Sequence, residues 1–391
     1  MPPEPTAPSP GLTPEPSVSP AVVAREWTRL GLVGFGGPPA HIALLRQLVV
    51  DRRRWMDAGA FEDANAACGM LPGPASTQMA IYCAYRVAGP TGAVLGGLGF
   101  IVPAVAIILA LSAVVLGHAA PLWVRGAGAG AGAAVPAVAV HAARGLLGPS
   151  LQRARDRSAL VPWTLYVLAG AGAAVAVGAY LVLVLVACGL VEVVRRRPRR
   201  ASLPLLTVPA SVTAGGYGAL AWTALKVGGL SFGGGFVIIP LMQGDAVHVH
   251  HWMTNAQFLN AVALGQITPG PVVATIAAVG YAAHGLTGGI MAAAIAFAPS
   301  FCFVLLAGRR FDRLRDLPGP RAFLDGAGPA AIGAIAGAAV TLATILSESW
   351  QLAVLAGALI ALLVLRRGVV STLVSAAAAG VALALLGAPV P

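Results

Sequence analysis

Charged side chains are scarce in this chain. Asp, Glu, Lys and Arg make up 10% of its 391 residues, against roughly 25% in a soluble domain. With a hydrophobic share of 58% and a mean hydropathy of +0.82, that scarcity excludes a soluble globular protein. Acidic residues are the rarer kind, 14 against 25 basic ones. The basic excess lies in clusters at the ends of apolar runs instead of in one patch beside aromatics, so no nucleic-acid partner is expected. Cysteine is rare as well. Cys68, Cys83, Cys188 and Cys302 are scattered, with no CxxC or ligand spacing, and read as packing residues. His248, His250 and His251 lack a completing framework beyond Asp245, so no metal site is expected. No nucleophile stands with a base, which argues against an enzyme, and nothing calls for a cofactor. Residues 1–20 have no basic stretch leading into a short apolar core, so a Pro-rich disordered tail is expected in place of a signal peptide.

Apolar runs are what the chain has in quantity. A membrane-spanning helix needs about 20 mostly apolar residues. Runs of that kind occur at 92–117, 159–178, 179–194, 287–307, 328–346, 352–365 and 369–386. The fold class expected is therefore an all-α polytopic membrane protein, multi-pass in the cytoplasmic (inner) membrane, with the lipid bilayer as its surroundings and a homodimer carried as an expectation.

The runs are organised by an internal repeat. At one offset of 197 residues, Phe35, Gly36 and Gly37 fall on Phe232, Gly233 and Gly234, and Arg29 falls on Lys226. Trp55 and Met56 fall on Trp252 and Met253, Phe61 falls on Phe258, and Pro72, Gly73 and Pro74 fall on Pro269, Gly270 and Pro271. Shared apolar composition does not produce coincidences of Trp, Pro and paired Gly. Two homologous halves are expected, 21–194 and 208–391, joined by a basic cytoplasmic linker at 195–207. Matched loops differ in charge. Asp51 to Arg54 carries three Arg where the stretch from His248 has no Arg or Lys, and the loop at 118–125 has one Arg where 309–321 has five. Basic loops stay cytoplasmic, so matched loops fall on opposite faces, giving an inverted-topology repeat. The same bookkeeping makes the stretch between Trp55 and Gly89 return to its starting side, as a re-entrant hairpin broken at Pro72–Pro74. Its partner is broken at Pro269–Pro271 and enters from the other face.

The breaks carry the chemistry. Prolines strip backbone donors and end a helix, the central Gly permits a tight reversal, and the chain leaving the break starts a new helix. Free amides and the positive end of the helix dipole make such a start an anion site, with Ser76, Thr77 and Gln78 in its first turn. Gln266 and Thr268 precede the second break. The duplicated glycines at 36, 37, 233 and 234 expose further main-chain donors or serve close helix approach. Arg29 and Lys226, at matched places within apolar sequence, are the candidate neutralising charges. His41 is the ionisable group next to the first FGG, placed to touch substrate or carry a proton. Glu62, Asp63 and Asn65 stand at the hairpin entrance.

These residues bring a family into view. With FGGPPAHIA from Phe35, the turn at Arg52–Trp55, LPGPASTQ from Leu71, IYCAY from Ile81, FGGG from Phe232 and GQITPGPV from Gly265, the sequence resembles a long-chain, two-domain member of the bacterial chromate ion transporter family. The resemblance implies export of chromate across the cytoplasmic membrane, driven by the proton motive force, with sulfate as the isosteric competitor and chromate resistance as the outcome. Uptake or exchange of sulfate or a related oxyanion is the alternative. Members of the family carry Gln between the Cys and LPGP; this chain has Gly69 there, and only its second half keeps the residue, as Gln266.

Overall fold

The computed structural model describes residues 18–69, 71–117, 120–154, 157–176, 180–196, 216–231, 235–307 and 318–390, and these contain helices and no β-strand. In the first half, α1 (Pro20–Val33) is followed by α2 (Gly37–Arg46), which runs into a π-helical turn (Gln47–Arg52). Then come α3 (Ala58–Cys68), α4 (Ala75–Val115), α5 (Leu122–Arg153), α6 (Arg157–Ala176) and α7 (Leu181–Arg196). The second half runs through the same order. It has α8 (Tyr217–Leu230), α9 (Ile238–Gln243) with a π-helical turn (Gly244–Val249), α10 (Asn255–Ile267), a 3-10 turn (Val272–Thr275) leading into α11 (Ile276–Ala307), α12 (Pro318–Thr344), α13 (Ser349–Leu359) with a π-helical turn (Ile360–Val364), and α14 (Val369–Leu385).

Local devices recur at matched positions. The Asp57 carboxylate accepts from the amides of Gly59 and Ala60 to start α3, and Thr254 starts α10 through a capping box with Gln257. Arg54 and His251 follow the two matched π-helical turns in the left-handed region, at φ 51° and 53°, and Arg366 follows the third at φ 52°. The break glycines Gly73 and Gly270 stand at φ 114° and 97°, values that a side chain resists.

Neither α4 nor α11 is a straight rod. Ala88 and Gly89 in one, and His284 and Gly285 in the other, leave the helical range. A Cβ added at Gly96 would stand 2.4 Å from that of Ala84, and one at Gly289 would stand 2.8 Å from the Ala277 carbonyl oxygen. Residues twelve apart in a straight helix are about 18 Å apart, so each element folds back on itself. The arm from Ala75 to the kink is about 20 Å long and α3 about 16 Å, both short of a hydrocarbon layer of roughly 30 Å. The arms beyond the kinks are long enough to cross it.

Among the described residues five helices are long and apolar enough to span a membrane, within 75–115, 122–152, 159–176, 272–306 and 321–344; the helices at 349–364 and 369–385 are shorter and apolar. Large apolar side chains such as Leu168, Leu306 and Val364 point outward, a surface that lipid solvates and water does not. The chain is thus a multi-pass membrane protein.

The halves interlock. Helices α6 and α7 of the first half pack on α12 of the second, α13 and α14 pack on α5, and α5 and α12 touch each other. Small residues make the crossings close: a Cβ at Gly170 would stand 1.8 Å from the Ala330 carbonyl oxygen, and one at Gly333 would stand 1.9 Å from that of Val167.

Candidate functional site

The two Pro-Gly-Pro breaks are seated against the opposite halves. A Cβ at Gly73 would lie 3.1 Å from the Gly228 carbonyl oxygen on α8 and 3.6 Å from the Ser300 hydroxyl on α11. One at Gly270 would lie 2.6 Å from the Ala104 side chain on α4 and 3.7 Å from the carbonyl oxygen of Gly31 on α1. The Gly270 amide also donates to the Gly34 carbonyl at 2.9 Å. Each break therefore meets the first helix of the other half.

Between them lies a cavity of about 570 Å³, within the usual range for a ligand site. The first half contributes Gly36, Gly37, Pro38, Pro39, Ile42, Asn65, Gly69, Ala75 and Ser76; the second contributes Phe236, Gly265, Gln266, Thr268, Gly270, Val272 and Val369; α5 closes one side with His141, Ala142, Gly145 and Leu146. Both helix starts that follow the breaks reach this space, at Ala75–Ser76 and at Val272. By helix geometry the first amides of each lack an internal acceptor, and each start carries a fraction of a positive charge.

The polar side chains divide by what they have left to offer. Thr268 spends its hydroxyl proton on the Leu264 carbonyl at 2.9 Å. Ser76 sits 3.4 Å from His41 Nδ1, and His41 Nε2 sits 2.9 Å from the Gly34 carbonyl oxygen. A carbonyl only accepts, so Nε2 carries the proton, and in the neutral ring Nδ1 accepts from Ser76. Gln266 differs: it is 8% exposed and its Nε2 has no partner among the described residues. Leaving that donor empty costs about 1 to 3 kcal/mol, which an anion accepting from it would recover. Among the described residues no Arg, Lys, Asp or Glu lines the cavity, and His141 is its one ionisable lining side chain.

The remaining candidates fall around this space. His41 stands one layer behind Ser76, edge-on to Phe100 at 5.1 Å. Pro72, Gly73, Pro74, Pro269 and Pro271 frame the breaks without lining the cavity. Gln78 turns its amide back to the Pro72 carbonyl at 2.7 Å, and the Thr77 hydroxyl is buried without a partner among the described residues. Arg29 is exposed on α1 and does not reach the cavity. Lys226 is held by Asp245 at 2.5 Å, and Thr223 donates to the same carboxylate at 2.8 Å. In the first half Glu26 pairs with Arg53, and Glu62 pairs with Arg46 at 3.4 Å. Gly233 and Gly234 lie outside the described residues.

Sequence reasoning placed Asn65 at the hairpin entrance and did not pick out His141 or Phe236. His141 sits on α5, a helix rich in Gly and Ala, and the signal available for it was an ionisable group one turn from Arg144 within small-residue sequence.

The family model described as Chromate transporter matches twice, at residues 21–193 and 218–383. The chain is 32% identical to a chromate transport protein of Cupriavidus metallidurans over 327 residues, covering 81% of this chain and 80% of that one. It is 31% identical to a chromate transport protein of Pseudomonas aeruginosa, over 86% of this chain and 83% of the relative, and 29% identical to an uncharacterized transporter of Methanocaldococcus jannaschii, over 75% and 77%. No solved structure matches the chain.

Proposed function

The chain belongs to the chromate transporter family, and from that premise we propose that it is a secondary transporter that exports chromate across the cytoplasmic membrane, coupled to the proton motive force, and so confers chromate resistance. The observation that carries the binding site is Gln266, whose buried amide nitrogen is unpartnered among the described residues, in the wall of a cavity into which two helix starts also open. A tetrahedral dianion there accepts from Gln266 and from main-chain amides of both halves. Two helix starts together supply on the order of one positive charge. That charge offsets part of the cost of taking a dianion out of water, in a cavity lined by no Arg or Lys among the described residues.

The short arms on either side of each break support reading them as re-entrant hairpins. With one Arg-rich and one Arg-poor member in each pair of matched loops, the two hairpins enter from opposite faces. Non-helical backbone at membrane depth is tolerable there because it is packed in protein or lines the cavity. A change in which hairpin is open to water then gives alternating access to one fixed site.

The function is tested by uptake of radiolabelled chromate into everted membrane vesicles with and without an imposed pH gradient. Export predicts accumulation that a proton ionophore abolishes and that sulfate reduces. Loading of right-side-out vesicles with sulfate would assign the chain to oxyanion uptake instead. Orientation is tested with single cysteines: those at 118–125 and 248–251 should label from outside, and those at 195–200 and 309–315 should not. Equal labelling of all four sets excludes the inverted repeat.

A further inference from the structure

We propose that His41 acts as a positioning residue that turns the Ser76 hydroxyl between repelling and binding the anion, so that protonation of the His41 ring and occupancy of the cavity are linked. The inference rests on the oxyanion reading of the cavity given above. In the neutral ring the Gly34 carbonyl holds the proton on Nε2, and Nδ1 accepts a hydrogen bond from the Ser76 hydroxyl. Ser76 then shows the cavity only lone pairs, which an anion avoids. When a proton from solution adds to Nδ1, that nitrogen becomes a donor. The Ser76 oxygen accepts from it, and the hydroxyl proton is released to point into the cavity at the start of the first helix. One proton taken up thus converts an acceptor facing the anion into a donor and adds a positive charge one layer away. The same carbonyl of Gly34 accepts from the Gly270 amide at 2.9 Å, so the ring is tied to the second break as well as to the first.

Helix α2 packs on α1, α3, α4 and its own π-helical turn. The charged and titratable groups of those elements are Arg25, Glu26 and Arg29, then Glu62, Asp63 and Cys68, then Tyr82, Cys83, Tyr85 and Arg86, and finally Asp51 and Arg52, with Arg46 on α2 itself. Glu26 is paired with Arg53, and Glu62 with Arg46. Gly34 and Ser76 occupy both ring nitrogens, which leaves none for these groups. At the matched positions of the second half stand Ile238 and Val273, both buried and apolar, so only the first break has the device.

The test is isothermal titration of the purified full chain with sulfate, which stays a dianion from about pH 5.5 to about pH 8, across the ordinary histidine range. Chromate is titrated beside it at one pH. The unsubstituted protein should bind sulfate at least about tenfold more tightly at the acid end, the size expected of one hydrogen bond to a charged group. Binding should take up protons, read from its dependence on buffer ionisation enthalpy. S76A and H41Q should each flatten the pH profile and remove the proton uptake, and S76A, a change of one atom, keeps the test usable if H41Q misfolds. A slope and uptake that persist in S76A, or that vanish in H141Q while remaining in H41Q, overturn the proposal and move the proton elsewhere. A flat profile in the unsubstituted protein overturns it too, with the anion site left standing. Binding of neither anion by that protein would overturn the oxyanion reading itself.

Discussion

The two breaks share a backbone and differ in nearly every side chain around them. Both turn on a glycine of positive φ, both feed a hairpin-shaped helix, and both rest on the first helix of the opposite half. Around the first, the chain places His41 and Ser76 where the second has Ile238 and Val273. Around the second it places Gln266 and Thr268 where the first has Gly69 and Leu71. The buried charges diverge in the same way. Lys226 on α8 is held by Asp245 in the following π-helical turn, whereas their counterparts are an exposed Arg29 and Leu48, and the first half pairs Glu26 with Arg53 instead. A duplicated scaffold thus supplies symmetric main-chain donors, and each half has added a different polar side chain to one shared cavity. Under the proposed function the arrangement is two complementary halves of one site, not two equal sites.

The sharpest way to break this picture is to remove what the halves have in common. Gly73→Val and Gly270→Val force a β-branched residue into left-handed backbone. Each should abolish chromate flux in vesicles while the protein still inserts. The second should also lower the yield of folded protein, because its added Cβ would meet the Ala104 side chain at 2.6 Å. Flux surviving in either variant would mean that this break is a kink with no part in the site.

The charge pairs should separate the halves by stability. Asp245→Ala strands a Lys226 whose side chain is only 13% exposed and should cost about 3 to 5 kcal/mol in unfolding measurements. Glu26→Ala leaves Arg53, 44% exposed, free to reach water, and should cost about 1 kcal/mol or less. Equal losses would show that the two pairs are equivalent after all.

The polar asymmetry should appear in affinity. Gln266→Ala removes a donor to a charged ligand and should weaken chromate binding by about 1.5 to 3 kcal/mol, read by isothermal titration. Gly69→Gln restores in the first half the residue that the second keeps, and should tighten binding by a smaller amount, about 1 kcal/mol. No change with either substitution would place the anion away from this face of the cavity.

Much of this was legible in residues. The offset that aligns Trp55 with Trp252 and one PGP with the other identified the breaks, and the structure puts both helix starts on one cavity. Gln266 stood out as the polar residue that only the second half retains, and it is the one whose amide is unpartnered there. Arg29 and Lys226 show the limit of the method. Their matched positions in apolar sequence pointed to a ligand, but a linear pattern does not say where a long side chain goes. One is exposed and the other ends on Asp245, a residue whose counterpart is a leucine.

The sequence by itself determined the membrane class, the duplication and the position of each break, because apolar run length, proline and glycine act on the chain locally. Only the tertiary structure decided which groups meet. The halves do not stand side by side: α6 and α7 cross to α12, α13 and α14 cross to α5, and α5 in consequence brings His141 to the cavity that both breaks reach. That exchange rests on glycine-to-carbonyl approaches such as Gly333 on Val167, and contact between residues so far apart in the chain leaves no periodic trace in either segment.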